Sequence, residues 1–247
     1  MRFLFALIAA AALPAAGAIA PAAAVEPPVE QGPKNAPDQV PAFPNQTRAP
    51  QSENQPSIDS EMVADDLPQM WSMEFLPDGS ILLAAKAGAL QVLDPEGGLG
   101  PALEGVPEVA ARGQGGLLDV ALSPDFAETG RIFASYAEPR GGGENGTSVF
   151  SAVLQRDGPG GSLEDLEVIL RQEPSYAGTK HFGSRIVWLE DATMLLAIGD
   201  GGNPPVKYDG ELIRLQAQKL DAHLGKILRL TEDGKPAQDN RFVGTRG

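Results

Sequence analysis

Two side chains in this chain are well placed to move a proton near neutral pH, His181 and His223. His181 stands in Lys180-His181-Phe182-Gly183-Ser184-Arg185, just ahead of an apolar run. His223 stands in Asp221-Ala222-His223-Leu224-Gly225, ahead of another. A histidine acting as a base needs an acceptor on its second ring nitrogen to orient it. Asp200, in Ile198-Gly199-Asp200-Gly201-Gly202-Asn203, is the candidate acceptor for His181. It is equally readable as the hydrogen-bonding residue of a tight glycine turn, just as a loop histidine is equally readable as a structural residue. The loop lacks the spaced acidic oxygens and terminal glutamate of a calcium-binding EF-hand. A third stretch, Gly113-Gln114-Gly115-Gly116-Leu117-Leu118-Asp119-Val120, combines glycines that let backbone approach a ligand with an amide, Gln114, that both donates and accepts. Its glycine spacing is not that of a dinucleotide fingerprint, and no helix is expected after it.

These residues must be held by short strands. From about Asp65 onward, apolar runs of four to seven residues alternate with Gly, Asp and Pro. Strands are expected at Trp71–Phe75, Ile81–Ala85, Leu90–Leu93, Leu117–Leu122, Arg131–Tyr136, Ser148–Leu154, Leu166–Leu170, Arg185–Leu189, Met194–Ile198 and Lys226–Leu230. Such lengths with such turns make antiparallel meanders, in a sandwich, a barrel or a propeller. Helical periodicity is expected only around Glu211–Leu224. If the runs ending at Leu189 and beginning at Met194 pair about the Glu190–Thr193 turn, His181 and Asp200 meet at the open end of that hairpin.

Residues 1–24 read as a secretory signal, with Arg2, an apolar run from Phe3 to Leu13, and small residues to Ala24. That implies a periplasmic or secreted protein with no stable membrane insertion. Residues 25–60 carry Pro27, Pro28, Pro33, Pro37, Pro41, Pro44, Pro50 and Pro56 with few large apolar residues, which predicts a disordered spacer. Residues 61–247 form the folded domain. Asn45-Gln46-Thr47 and Asn145-Gly146-Thr147 are formal glycosylation triplets, of a kind that often matches by chance.

The 247 residues contain no cysteine, which excludes disulfides, thiolate metal sites and a cysteine nucleophile. The formal net charge of -14 argues against nucleic acid as a partner, because duplex binding needs basic surface.

Taken in order, the segments Trp71–Gly79 (WSMEFLPDG), Gly113–Phe126 (GQGGLLDVALSPDF), His181–Arg185 (HFGSR), Ala197–Asn203 (AIGDGGN), Ala217–Leu230 (AQKLDAHLGKILRL) and Asp233–Phe242 (DGKPAQDNRF) resemble the glucose/sorbosone dehydrogenase family. These are soluble aldose dehydrogenases that use pyrroloquinoline quinone (PQQ). The resemblance covers roughly residues 65–243. It implies an all-β, six-bladed β-propeller fold with PQQ and calcium on one face. At ~45 residues per blade, residues 61–247 make only about the first three to four blades.

The resemblance further implies oxidation of an aldose sugar at C1 to the lactone, with hydride passing to PQQ. His181 matches the general base and Asp200 the carboxylate that holds it. Gln114 matches a polar residue of the cofactor and sugar pocket. Arg185 matches the last slot of the histidine motif, a cofactor-side position for which a structural role is expected. His223 matches no catalytic position. The electron acceptor, a quinone or a cytochrome, is left open. The family's calcium ligands lie beyond Gly247, so the resemblance also implies a chain that is inactive alone. A non-enzymatic secreted binding propeller, or a lactonase-like propeller, is the alternative. Two features depart from the family pattern, Lys180 before the base and Pro204-Pro205-Val206-Lys207-Tyr208 after Asp200.

Overall fold

The computed structural model describes residues 27–44, 46–52, 54 and 56–244. The signal expected at residues 1–24 and the triplet at Asn45 lie outside them. Two compact units divide the chain, Met1–Glu61 and Met62–Gly247. In the first, the described residues carry an isolated bridge between Pro28 and Pro50. The Arg48 guanidinium there donates to the carbonyls of Glu30 (2.7 Å) and Gly32 (2.8 Å).

The second unit is all-β. Its first sheet is the meander β1 (Met70–Phe75), β2 (Ile81–Ala85) and β3 (Ala89–Leu93). The second is β4 (Leu117–Leu122), β5 (Arg131–Gly141), β6 (Glu144–Asp157) and β7 (Gly160–Arg171), in that spatial order. The third pairs β8 (Gly183–Trp188) with β9 (Met194–Ile198), and β9 with the strand Lys226–Leu230. A two-residue hairpin, β10 (Lys207–Tyr208) and β11 (Glu211–Leu212), fills the connection before that last strand, β12. Consecutive antiparallel meanders laid face to face are the architecture of successive propeller blades.

All ten expected strands are present, but β5, β6 and β7 extend well beyond their apolar runs. Their ends are polar and paired, as at Glu138↔Gly146 and Pro139↔Asn145. Glu138 there is bonded by Ser148 and by the Arg140 and Arg171 guanidiniums. The helix expected around Glu211–Leu224 is corrected. The segment holds β11 and a six-residue 3-10 helix, Ile213–Gln218. Only Ile213 and Gln216 are buried in it, a spacing of three that suits a 3-10 turn and gives an α-helix no continuous face. One short helix was not expected, Phe126–Thr129, closed by Gly130 at φ 65°.

The second sheet is covered on both faces, which explains why β5 and β6 are buried almost continuously instead of alternately. Toward the first sheet, Leu117, Val120, Ile132, Tyr136 and Phe150 pack with Leu82, Leu90 and Val92. Toward the third, Phe133 and Val149 pack with Ile186, Met194, Leu196 and Leu230. The Phe133 ring meets Trp188 edge-on at 5.0 Å. Asn145 is buried, and its side-chain amide donates to the Gly178 carbonyl at 2.9 Å, so its nitrogen is not free to carry a glycan. Among the described residues no helix is long and apolar enough to cross a membrane.

Candidate functional site

The β8–β9 hairpin runs from Trp188↔Met194 at its turn to Gly183↔Ile198 at its open end. His181 leaves one strand there and Asp200 leaves the other. His181 Nδ1 lies 2.7 Å from Asp200 Oδ1, and the same oxygen accepts the Gly202 amide at 3.0 Å. Carboxylate contact at Nδ1 selects the tautomer with hydrogen on that nitrogen and leaves Nε2 with its lone pair. The two side chains are 39% and 38% exposed, so the imidazole is reachable while its orienting bond is partly sheltered. Burial pushes the Asp200 carboxyl up, but the bonds from His181 and the Gly202 amide outweigh it and hold the group below its ordinary value.

Glycine makes this crossing feasible. A Cβ on Gly199 would lie 1.8 Å from the His181 carbonyl oxygen. With hydrogen there instead, the Gly199 amide donates to the Phe182 carbonyl at 2.9 Å. His181 itself has φ 56°, the left-handed region that side chains other than glycine rarely enter.

Gln114 joins the pair from the turn that leads into β4 of the neighbouring sheet. Its backbone amide donates to the Thr179 carbonyl and its Oε1 accepts the His181 amide, both at 2.8 Å. Gly113, at φ 59°, backs onto Thr179 so closely that a Cβ would fall 2.4 Å from its carbonyl oxygen. The Lys86 ammonium donates to the Gly113 carbonyl at 2.6 Å. Buried Tyr176 donates from its hydroxyl to the Lys180 carbonyl at 3.1 Å. Burial and then the Asp200 charge push that phenol's pKa up. Lys180 is exposed beside His181.

Arg185 is not part of this group. Its guanidinium pairs with Asp119 Oδ1 at 3.1 Å, and the Ile186 amide donates to Asp119 Oδ2 at 2.7 Å. Burial raises the Asp119 pKa despite both contacts. His223 lies apart as well. Its Nδ1 accepts the Glu173 amide at 2.9 Å and its own amide donates to the Glu173 carbonyl at 2.8 Å. That is a structural latch, and burial lowers the His223 pKa. Among the described residues no group of three or more His, Cys, Asp or Glu is arranged to hold a metal ion.

Sequence reasoning passed over Asp119, Ser135, Thr147 and Tyr176. Asp119 carried a signal, a carboxylate inside the apolar run Leu117–Leu122. The other three are residue types common in any strand or loop.

A model of the glucose/sorbosone dehydrogenase family matches residues 67–247. An uncharacterized protein of Synechocystis sp., slr1608, is 42% identical over 197 residues, covering 76% of this chain and 47% of its own. The aldose sugar dehydrogenase YliI of Escherichia coli is 36% identical over 192 residues, covering 77% of this chain and 48% of its own. The solved PQQ-bound form of an aldose sugar dehydrogenase from Streptomyces coelicolor superimposes with a TM-score of 0.63 at 28% identity, over 74% of this chain and 51% of that one. The chain spans about half the length of the curated relatives it matches.

Proposed function

The chain belongs to the glucose/sorbosone dehydrogenase family, and from that premise we propose that the protein carrying it oxidises aldose sugars at C1 to the lactone with PQQ as cofactor. The observation that carries the proposal is the 2.7 Å contact between His181 Nδ1 and Asp200, which leaves Nε2 open on an accessible imidazole. In this reading His181 Nε2 takes the proton from the anomeric hydroxyl of the sugar. Asp200 stabilises the imidazolium that results and keeps the ring in the productive tautomer. A bound PQQ supplies the acceptor for the hydride that leaves C1.

The residues present suit a planar quinone bearing carboxylates. Lys86, Arg112 and Lys180 are basic side chains carried on, or bonded to, the loops that hold Gln114 and His181. Gly202 is required by its backbone, at φ 93°, and a Cβ there would press on Lys180 Cβ at 3.3 Å. Gln114, Arg112 and Lys180 are the residues that would hold the cofactor. Arg185 supports the site through Asp119 instead of touching the ligand. Calcium is implied by the family resemblance, and among the described residues no group of three or more His, Cys, Asp or Glu is arranged to hold a metal ion. Export to the periplasm or exterior is proposed from the apolar N-terminal sequence, and a quinone or cytochrome as the final electron acceptor.

The test is dye reduction by the protein carrying this chain, supplied with PQQ, calcium and an aldose. His181→Gln is expected to lower turnover by ~10²–10⁴, the usual worth of a general base. A wild-type rate in that variant overturns the assignment.

A further inference from the structure

We propose that Gln114, Ser135 and Thr147 are positioning residues that hold the His181 imidazole in place by bonding the backbone on which it sits. The catalytic meaning of that placement rests on the reading of His181 as the base, but the placement itself does not.

The stretch His181–Ile186 is irregular. His181, Gly183 and Ser184 have φ values of 56°, 73° and 128°. The β8–β9 register shifts between Gly183 and Ile186, so that two residues of β8, Ser184 and Arg185, face one of β9, Ala197. Backbone groups inside such a bulge lose their ladder partners and must be satisfied elsewhere. Here side chains of the second sheet, and of the turn that leads into it, bond the stretch His181–Ile186. Gln114 Oε1 accepts the His181 amide at 2.8 Å. The Phe182 carbonyl, just before the bulge, accepts the Thr147 hydroxyl at 2.8 Å as well as the Gly199 amide across the hairpin. The Ser135 hydroxyl donates to the Ser184 carbonyl at 2.8 Å, and Asp119 accepts the Ile186 amide.

Ser135 and Thr147 are fully buried, on a sheet face that they share with Phe133, Ala137 and Val149. A hydroxyl in such an interface is unfavourable unless it is bonded. Both hydroxyls lie opposite the distorted stretch and both bond it. Cross-strand neighbours bring them there, since Asp119 pairs with Ser135 and Ala137 with Thr147. The second sheet therefore acts as the template for the backbone that aims His181 at Asp200. Without it, a left-handed non-glycine residue followed by two more positive φ values has little to hold it.

The chain's two histidines make a direct readout, because each imidazole can be followed by proton–nitrogen NMR. Four variants are compared with wild type: Gln114→Ala, Gln114→Glu, Thr147→Val and Thr147→Ser. The alanine and valine variants remove the bond, whereas the glutamate and serine variants restore an acceptor or donor at the same atom. His181 ring signals should shift, and its Nδ1–H signal broaden by exchange, in Gln114→Ala and Thr147→Val. They should return close to wild type in Gln114→Glu and Thr147→Ser. His223, latched to Glu173, reports an intact fold by staying unchanged. The proposal falls if His181 is undisturbed in Gln114→Ala, or if glutamate perturbs it as much as alanine does while His223 is unchanged. Should Thr147→Val fail to fold, the exposed Gln114 pair decides. A His181→Gln enzyme with full turnover would remove the base assignment and leave this result standing.

Discussion

His181 Nδ1 and Asp200 Oδ1 face each other at 2.7 Å across the open end of one hairpin, with the Gly202 amide on the same carboxylate oxygen. A carboxylate so placed fixes the ring and bears part of the charge when the ring takes a proton. Asp200→Asn is expected to preserve the contact but favour the wrong tautomer, lowering turnover by ~10²–10⁴ with KM changed little. Steady-state rates with an artificial acceptor test this, and an unaltered turnover number would count against the pair.

Asp200 also sets a pH dependence. Its folded pKa is depressed, so its contribution to stability is present above the unfolded value of about 3.9 and is lost as pH falls through the lower folded value. Acid titration of the folded chain should show Asp200→Asn losing less stability than wild type below pH ~4. Parallel acid-unfolding curves would contradict the shift.

His223 works with the same sign through a different cause. Burial favours its neutral form and its Nδ1 is occupied by the Glu173 amide. Below about pH 6.5 the unfolded chain binds a proton that the folded chain resists. Stability therefore falls as pH drops from ~7 toward the folded pKa. The melting temperature of His223→Gln should vary less with pH over that window, and an unchanged slope would rule His223 out as the source.

Gly199→Ala should be costly without touching any reacting group. The new methyl would lie 1.8 Å from the His181 carbonyl, so backbone must move to admit it. A loss of about 1–3 kcal/mol is expected from overpacking, read from urea midpoints. The His181–Asp200 contact should be lost with it.

The Asp119–Arg185 pair should behave asymmetrically. Asp119 is buried and accepts the Ile186 amide, whereas the Arg185 side chain is 64% exposed. Asp119→Ala orphans a buried amide and should cost about 1–3 kcal/mol. Arg185→Ala should cost less than about 1 kcal/mol. Equal losses in denaturant unfolding would show that the ion pair, not the buried amide bond, is what matters.

Much of the fold could be read from local pattern. β4, β9 and β12 begin and end where their apolar runs do, because glycine and polar turns bound them. The ends of β5–β7 could not, since their polar residues are held by pairing across the sheet and by Glu138 with its arginines. The segment Glu211–Leu224 misled for a related reason. Its apolar spacing suits a helix, but Gly210 at φ 79° and the β10–β11 pairing divert the chain.

By itself the sequence determined which side chains were available for chemistry, where glycine would permit tight crossings, and that short strands would carry them. Those properties depend on residue type and near neighbours. Only the tertiary structure decided that His181 has a carboxylate partner while His223 is latched to Glu173, and that Arg185 turns to Asp119. The same holds for Ser135 and Thr147 bonding the backbone of a different sheet. The hairpin made the His181–Asp200 meeting legible, but the bonds of Asp119, Ser135 and Thr147 join residues tens of positions apart and depend on how two sheets stack face to face, which no local spacing encodes.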